Sequence, residues 1–584
     1  MTKHKNLVQV RLICDDGTFI GEPAAIIHVF DWMAKHCKKR TGLELRADKC
    51  AILYPRPGQA AIQSITTLVE QHKLKVHVGS MPLVGSVIGL DDVARQKFVL
   101  DKVKLVAQTL LKLQHSDISL PLASTLMRMS VTPRLTYLFR TLPPHVCQEG
   151  AELLRRLILK AFSKKMVLPK SGPDSDLEVQ LFLPDVLAGV GVSDPVATLP
   201  AAYYASLATV VCDMKVSVFS RDGTSTERHL WDDIVAAAHA PRDPQCPFLD
   251  MGKALQECMA VLSRDGSEHF ANMSCGLVAK TLEDFGTLFV PAAPAAKVQS
   301  IISVAMGLMK YRALLEMHSG NTTEDKTAYI RLACAAHPYA SRWLRALPTS
   351  AQSTLTNNEF RTALCMLMGL DVYPINGHDP PVPCVHAEHC KACRGVDLRK
   401  DPFHALSCTH ETKSVLGRYG QHEHVLERLC DLARICQVHW SKDTKTFVDR
   451  GQRRPDLFLD FHRAIDSTLA DVVGTHPTSK SYLTQNKVNA WAATNDAVEA
   501  KHKKYSDIAI DQDIPIAAFA FETFGGLHPE AVSLVEKIMK HHRGQAGTDH
   551  QAPLQQKLTE LVVSIMRDNA RMVARSHKRA VANM

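Results

Sequence analysis

The sequence predicts a multidomain chain of mixed class, in which small α/β modules flank long α-helical stretches. Three observations carry this expectation. At 584 residues the chain is long enough for three or four domains, each burying its own core. Helical spacing of apolar residues dominates from about residue 59 to 380. The linker Asn376-Gly377-His378-Asp379-Pro380-Pro381-Val382-Pro383 then separates that stretch from a C-terminal third where Cys and His cluster and β-branched strands alternate with helices.

In chain order, Val8, Val10, Leu12 and Cys14 are spaced by two, as in a half-buried strand, and Asp15-Asp16-Gly17 supplies a tight turn into Thr18-Phe19-Ile20. Pro23 opens a helix whose apolar residues Ile26, Phe30, Met33 and Cys37 recur at three and four, and Gly42 ends it. Residues 59–180 read as mostly helical, with breaks at Pro82, Gly85, Gly89, Pro133 and Pro143-Pro144. Residues 181–380 are again mainly helical, without repeats or low complexity. The chain closes on an amphipathic helix with Leu558, Leu561, Val562, Ile565 and Met572 on one side.

Composition narrows the function classes. An apolar share of 46% with 22% charged residues is ordinary for a globular protein. No apolar run reaches the 18 or so residues of a membrane span, Ile301–Met309 being among the longest. Sixteen scattered cysteines behind a polar start, Met1-Thr2-Lys3-His4-Lys5, predict reduced thiols in a soluble nuclear or cytoplasmic protein, with clustered Cys suspected of binding metal. The net charge of +9 suits a polyanion partner, and Arg567, Arg571 and Arg575 recur every four residues on one face of the last helix, where they could meet phosphates.

Cys390-x2-Cys393, ten residues, then His404-x3-Cys408 makes a Cys3His set within nineteen residues. Two Cys separated by two residues can wrap one ion through a knuckle turn. The His-x3-Cys pair supplies the other two tetrahedral corners from one helical turn. Four ligands with no open position predict structural Zn2+, with Cys384, His386, His389 and His410 as nearby competitors.

Farther on, Arg454-Pro455-Asp456 leads into a strand through Leu457, Leu459 and Phe461, and a second strand from Ile465 to Val473 carries Asp471. A hairpin around Phe461-His462-Arg463 would bring Asp456 and Asp471 together, a pair able to hold Mg2+ or Mn2+, which polarises a phosphate and acidifies an attacking water. A helix from about Thr484 to Tyr505 places Lys501 and Lys504 one turn apart, and Ile516 to Glu522 reads as a strand packed beside it. Upstream, Arg418 and His422 share a helix face, with Val425, Leu426, Leu429 and Leu432 as its core stripe.

The order Cys-x2-Cys, His404-x3-Cys408, Arg418-x3-His422, Arg454-Pro455-Asp456 and a second Asp resembles the C-terminal region of site-specific non-LTR retrotransposon reverse transcriptases. These carry a restriction-like endonuclease of the PD-(D/E)XK type. That nuclease core otherwise wants a Lys two residues after the second acid, where this chain has Val473. Elements of this kind draw it from the following helix. The resemblance implies metal binding by Asp456 and Asp471, with Lys504 as the displaced lysine and Lys501 as its neighbouring candidate.

The first part resembles the same proteins. Leu12-Ile13-Cys14-Asp15-Asp16-Gly17 is similar to the reverse transcriptase hairpin usually written Tyr-x-Asp-Asp, with Leu12 in place of the Tyr. Gly42-Leu43-x-Leu45-x3-Lys49-Cys50 resembles the next palm motif, whose lysine sits near the outgoing pyrophosphate. Leu83-Val84-Gly85-x2-Ile88-Gly89 and Arg134-Leu135-x2-Leu138-x-Arg140 resemble the primer grip and thumb. Trp343-Leu344-x2-Leu347-Pro348 and Glu359-Phe360-Arg361 resemble the connector. Polymerisation needs a second Asp from the upstream fingers and palm. Only about fifteen residues precede the hairpin here, so Asp15, Asp16 and Lys49 are expected to be vestigial and polymerase activity absent.

The implied organisation is a truncated palm end (1–58), thumb-like helices (59–180), a helical connector (181–380), a zinc knuckle (381–415), the restriction-like endonuclease (416–530) and a helical tail (531–584). The expected function is metal-dependent nicking of target DNA, with DNA and the element RNA as partners and no membrane. The alternatives are a catalytically dead nucleic-acid-binding protein and a decayed retroelement fragment.

Overall fold

The computed structural model describes residues 8–13, 16–42, 45–55, 63–168, 175–211, 215–219, 225–239, 247–263, 277–289, 298–372, 381–388, 390–391, 393–399, 401–408, 417–442, 444, 454–461, 467–543 and 551–582. The fold is mixed α/β, mostly helical, with several small sheets. No described helix is long and apolar enough to cross a membrane. Two compact units emerge, each gathering three segments: Met1–Ala107, Arg134–Arg155 and Pro195–Ala305 in the first, Gln108–Pro133, Arg156–Asp194 and Met306–Met584 in the second.

In the first unit, strands β1 (Val8–Ile13) and β2 (Asp16–Gly21) form an antiparallel hairpin with Ile13 opposite Asp16. Helix α1 (Pro23–Thr41) starts on a proline, whose missing N–H costs nothing at a helix start, and stops at Gly42 with φ of 75°. Strand β3 (Ala51–Tyr54), helix α2 (Gln63–His72) and strand β4 (Lys75–Val78) make a parallel pair joined by a helical crossover.

Strands β5 (Ser80–Leu83) and β6 (Ser86–Gly89) then pair as a hairpin where a broken helical stretch was expected. Its turn is Val84-Gly85, both with positive φ (47° and 78°), the combination whose twist matches antiparallel strands. Tyr137 pins this turn by donating to the Val84 carbonyl at 2.8 Å. Strands β7 (Lys215–Phe219) and β8 (Ser225–His229) form a further hairpin inside the stretch expected to be mainly helical.

The second unit holds the candidate sites. Helix α3 (Thr323–Ala335) and helix α4 (Asn357–Met368) precede the Cys/His segment, and α4 opens with a reciprocal cap in which Thr356 and Glu359 satisfy each other's backbone N–H groups. Helix α5 (Arg418–Ile435) buries Val425, Leu426, Leu429 and Leu432, as its spacing predicts. Strands β9 (His439–Ser441), β10 (Leu457–Asp460) and β11 (Thr468–Thr475) follow. After helices α6 (Leu483–Val488) and α7 (Ala492–Gln512) comes strand β12 (Ile516–Glu522). The sheet order is β12-β11-β10-β9, with β10 antiparallel to both neighbours and β11 parallel to β12. The single helix expected from Thr484 to Tyr505 is two. The break falls at 489–491, and buried Asn486 of α6 donates to the Pro477 carbonyl at 2.5 Å and accepts from the Ala493 amide in the first turn of α7 at 3.0 Å.

Helix α8 (Pro529–Arg543) covers β12, and helix α9 (Gln551–Ala582) runs through the core against α4 and α5. Leu558, Leu561, Val562, Ile565 and Met572 of α9 are all buried, each contributing about 1.5–3 kcal/mol by leaving water. A buried polar chain ties these parts together. Gln421 on α5 donates to Asn569 at 2.9 Å, and Asn569 donates to the Thr523 carbonyl just after β12 at 2.6 Å.

Candidate functional site

The Cys/His segment folds around a short bridge between Pro383 and Asp397, with the Asp397 carboxylate accepting from the Val382 and Arg399 amides at 3.0 and 3.1 Å. A 3-10 turn, Pro402–Leu406, carries His404 inward, and the Cys408 amide returns to the His404 carbonyl at 2.8 Å. Cys384, Cys393, His404 and Cys408 are buried, with their donor atoms all within 4.8 Å of one another. Cys393 Sγ lies 3.6 Å from Cys408 Sγ and 3.4 Å from His404 Nε2. Four donors around one ion with Zn–S bonds of about 2.3 Å need sulfurs roughly 3.8 Å apart, so the spacing fits a tetrahedral metal. Burial, together with the Cys390 and Cys408 side chains, pushes the Cys393 thiol up to about 12. A bound cation would reverse this by favouring thiolates.

One expected ligand is displaced. Cys384, a competitor in the sequence, stands in the cluster where Cys390 was expected. Cys390 lies against Cys393, and its carbonyl accepts the Cys393 amide at 3.0 Å. The tight Cys-x2-Cys spacing favoured Cys390, whereas the Cys384 N–H to Val396 carbonyl bond at 3.4 Å carries the more distant thiol inward. His389 and His410 lie outside the described residues.

Asp456, Asp471, His422, Lys501 and Lys504 converge at the sheet. The Asp456 N–H bonds to the Ala470 carbonyl at 3.1 Å, and its Oδ2 accepts the amide of Val472 at 2.8 Å, so its carboxylate reaches the strand that bears Asp471. His422 Nε2 meets the same Oδ2 at 2.9 Å. Burial alone would raise the Asp456 carboxyl. The His422 hydrogen bond and charge, the Val472 amide and the Lys501 ammonium outweigh it and hold the group below the usual carboxylate range. Burial likewise opposes the His422 cation, yet Asp456, Glu423 and Asp471 together raise its pKa.

Asp471 is 2% exposed, accepts the Tyr505 hydroxyl at 2.6 Å and forms an ion pair with Lys501. Lys504 instead donates to the Tyr505 hydroxyl at 2.6 Å, and that hydroxyl also reaches the Arg454 carbonyl at 2.8 Å. The geometry therefore puts Lys501, not Lys504, on the carboxylate. One turn of α7 separates them, and the register of a helix against a sheet is not written in spacing. Tyr505, absent from the expected set, is the hub of this corner, and an aromatic next to a candidate lysine was the one signal for it.

Arg418 shares the α5 face with His422 but points elsewhere. It donates to the Leu406 carbonyl of the Cys/His segment at 2.5 Å and reaches toward the Gly474 carbonyl of β11 at 3.5 Å, and burial lowers its pKa to about 10. Of the polymerase-like residues, Asp15 lies outside the described residues, Asp16 begins β2, and Lys49 is exposed in the 3-10 turn Ala47–Lys49. Two arginines of the α9 face bond within the chain. Arg567 donates to the Ala351 and Thr354 carbonyls at 2.7 and 2.8 Å, and Arg571 pairs with Glu359 at 2.8 Å. Arg567 and Arg571 thus tie α9 to the segment that opens α4, with the Arg571 side chain still 57% exposed. No family model matches the sequence, and no curated protein matches it.

Proposed function

We propose that this chain is a retroelement-derived, metal-dependent DNA endonuclease stiffened by a structural zinc module. The observation that carries the reading is the convergence of Asp456 and Asp471, from adjacent antiparallel strands, with the Lys501 ammonium bearing on both carboxylates. The chain order supports it. A helix, three antiparallel strands, a helical crossover bearing Lys501 and Lys504 and a fourth strand parallel to the third gather both carboxylates and the lysines on one small sheet.

In this reading Asp456 and Asp471 would hold Mg2+ or Mn2+, which supplies Lewis acidity toward a phosphate and an activated water. His422 and the Val472 amide orient Asp456, and Tyr505 orients Asp471. Lys501 places positive charge where a phosphodiester gains negative charge as it breaks. Cys384, Cys393, His404 and Cys408 would hold Zn2+, and Arg418 bonds that module to the nuclease sheet. The test is nicking of supercoiled plasmid DNA in Mg2+ by wild type, Asp456→Ala and Asp471→Ala, with circular dichroism to verify folding. Nicking by wild type alone is expected. Equal nicking by all three removes the nuclease assignment.

A further inference from the structure

A second cluster of metal-binding side chains lies in the same unit, at the far end of the sheet. Cys334 sits in the last turn of α3, and His337 follows just beyond it, where the His337 amide bonds to the Cys334 carbonyl at 3.1 Å. This turn brings a Cys-x2-His pair to face Glu522, the last residue of β12. Ligand atoms of the three residues lie within 4.8 Å of one another. The surrounding backbone is fixed: the Leu527 amide bonds to the Pro338 carbonyl at 3.2 Å, and the Glu522 amide to the Gly526 carbonyl at 2.9 Å. A Cβ at Gly526 would come within 2.9 Å of the His337 Cβ and 3.2 Å of Glu522 Oε2, so only glycine allows this approach. The indole of Trp491 stacks on the His337 ring at 3.6 Å and 11°, holding its plane.

Glu522 is fully buried, and its Oε2 meets His337 Nδ1 at 2.8 Å. Among the described residues, its other oxygen, Oε1, has no well-formed hydrogen bond. A buried carboxylate oxygen left without a donor is costly, and a cation is one way to satisfy it. The third member, the Cys334 thiol, is a weak hydrogen-bonding neighbour of the same carboxylate and also reaches the Ala490 carbonyl at 3.8 Å. A hydrogen bond with His337 serves one oxygen, whereas a thiol is only a weak donor for the rest of a fully buried carboxylate.

We propose that Cys334, His337 and Glu522 form a second zinc site, distinct from the Cys/His module, that clamps the end of α3 to the end of β12. Sulfur, nitrogen and oxygen donors together suit Zn2+, whereas Mg2+ and Ca2+ take oxygen sets without thiolate. Binding exchanges the Cys334 S–H proton for the ion: a Zn–S bond forms, the S–H bond breaks and the proton leaves to solvent. The hydrogen between His337 Nδ1 and Glu522 Oε2 is replaced by one on Nε2, which frees both atoms as ligands. Three protein ligands leave one coordination position for water.

The experiment is equilibrium dialysis of the full chain against micromolar Zn2+, with bound metal measured per chain. Wild type is expected to hold one equivalent more than Cys334→Ala, whatever the Cys/His module binds. Glu522→Gln, which keeps shape and hydrogen-bonding capacity but loses the charge, should weaken that equivalent by more than about tenfold. Cys393→Ser should leave it in place. Equal zinc content and affinity in wild type and Glu522→Gln, with matching circular dichroism, would overturn the site even if Cys334→Ala fails to fold.

Discussion

Replacing Lys501 by Met would leave the Asp471 carboxylate, 2% exposed, without its cation. Breaking a buried ion pair from one side typically costs about 3–5 kcal/mol, because the surviving charge stays desolvated. Two features reduce the figure here. Lys501 is itself 22% exposed, and the Tyr505 hydroxyl still donates to Asp471 at 2.6 Å. A loss of about 2–3 kcal/mol is expected. Since β11 bears Asp471 in the middle of the sheet, the loss should appear as faster hydrogen exchange in the peptide spanning Thr468–Thr475. At about 1.4 kcal/mol per factor of ten, exchange there should accelerate roughly thirty- to a hundredfold. Asp471→Asn combined with Lys501→Met should restore most of the protection, because position 471 then carries no unpaired charge, while Asp456 keeps His422 and the Val472 amide. Exchange in Lys501→Met within about twofold of wild type would refute the reasoning, as would a double variant worse than the single.

Other outcomes follow from the same contacts. Cys384→Ser should lower zinc content at the Cys/His module more than Cys390→Ser, read by metal analysis; the reverse would return Cys390 to the ligand set. Arg418→Met, which keeps the apolar stem but strips the donor from the Leu406 carbonyl, should cost about 1–3 kcal/mol in thermal or urea unfolding. His476 is buried neutral between Thr523 and Thr478, with burial, Arg418 and His404 holding its pKa down to about 3. A folded pKa below the unfolded 6.5 means the unfolded state takes the proton first. Stability from this group is therefore full above pH 6.5 and lost as pH falls toward 3, with about 2 kcal/mol gone by pH 5. His476→Gln should flatten the fall in melting temperature between pH 7 and 5, and an unchanged slope would exclude the cause.

The C-terminal third was the most legible part of the chain. The apolar stripe of α5, the alternation in β10 and the bounds of β12 were all readable because each is a local period. Asp456 and Asp471 were readable as a pair because a hairpin brings neighbours in sequence together. What was not legible depends on long-range placement. Arg567 is bonded to carbonyls more than two hundred residues away, so its stripe looked solvent-facing on the helix alone. Glu522 lies 185 residues from His337, which hid that cluster entirely. The β5–β6 hairpin was missed for a local reason. Val84 adopts positive φ, a conformation its β-branched side chain disfavours, so nothing but Gly85 announced the turn.

The central claim is best tested by single-turnover cleavage of a labelled DNA duplex as Mg2+ is raised, comparing wild type with Asp471→Asn. The nuclease reading predicts a rate that rises with Mg2+ in wild type and falls at least about a hundredfold in the variant, with the fold intact by circular dichroism. A variant that cleaves as fast as wild type, or cleavage indifferent to Mg2+ and to its chelation, would contradict it.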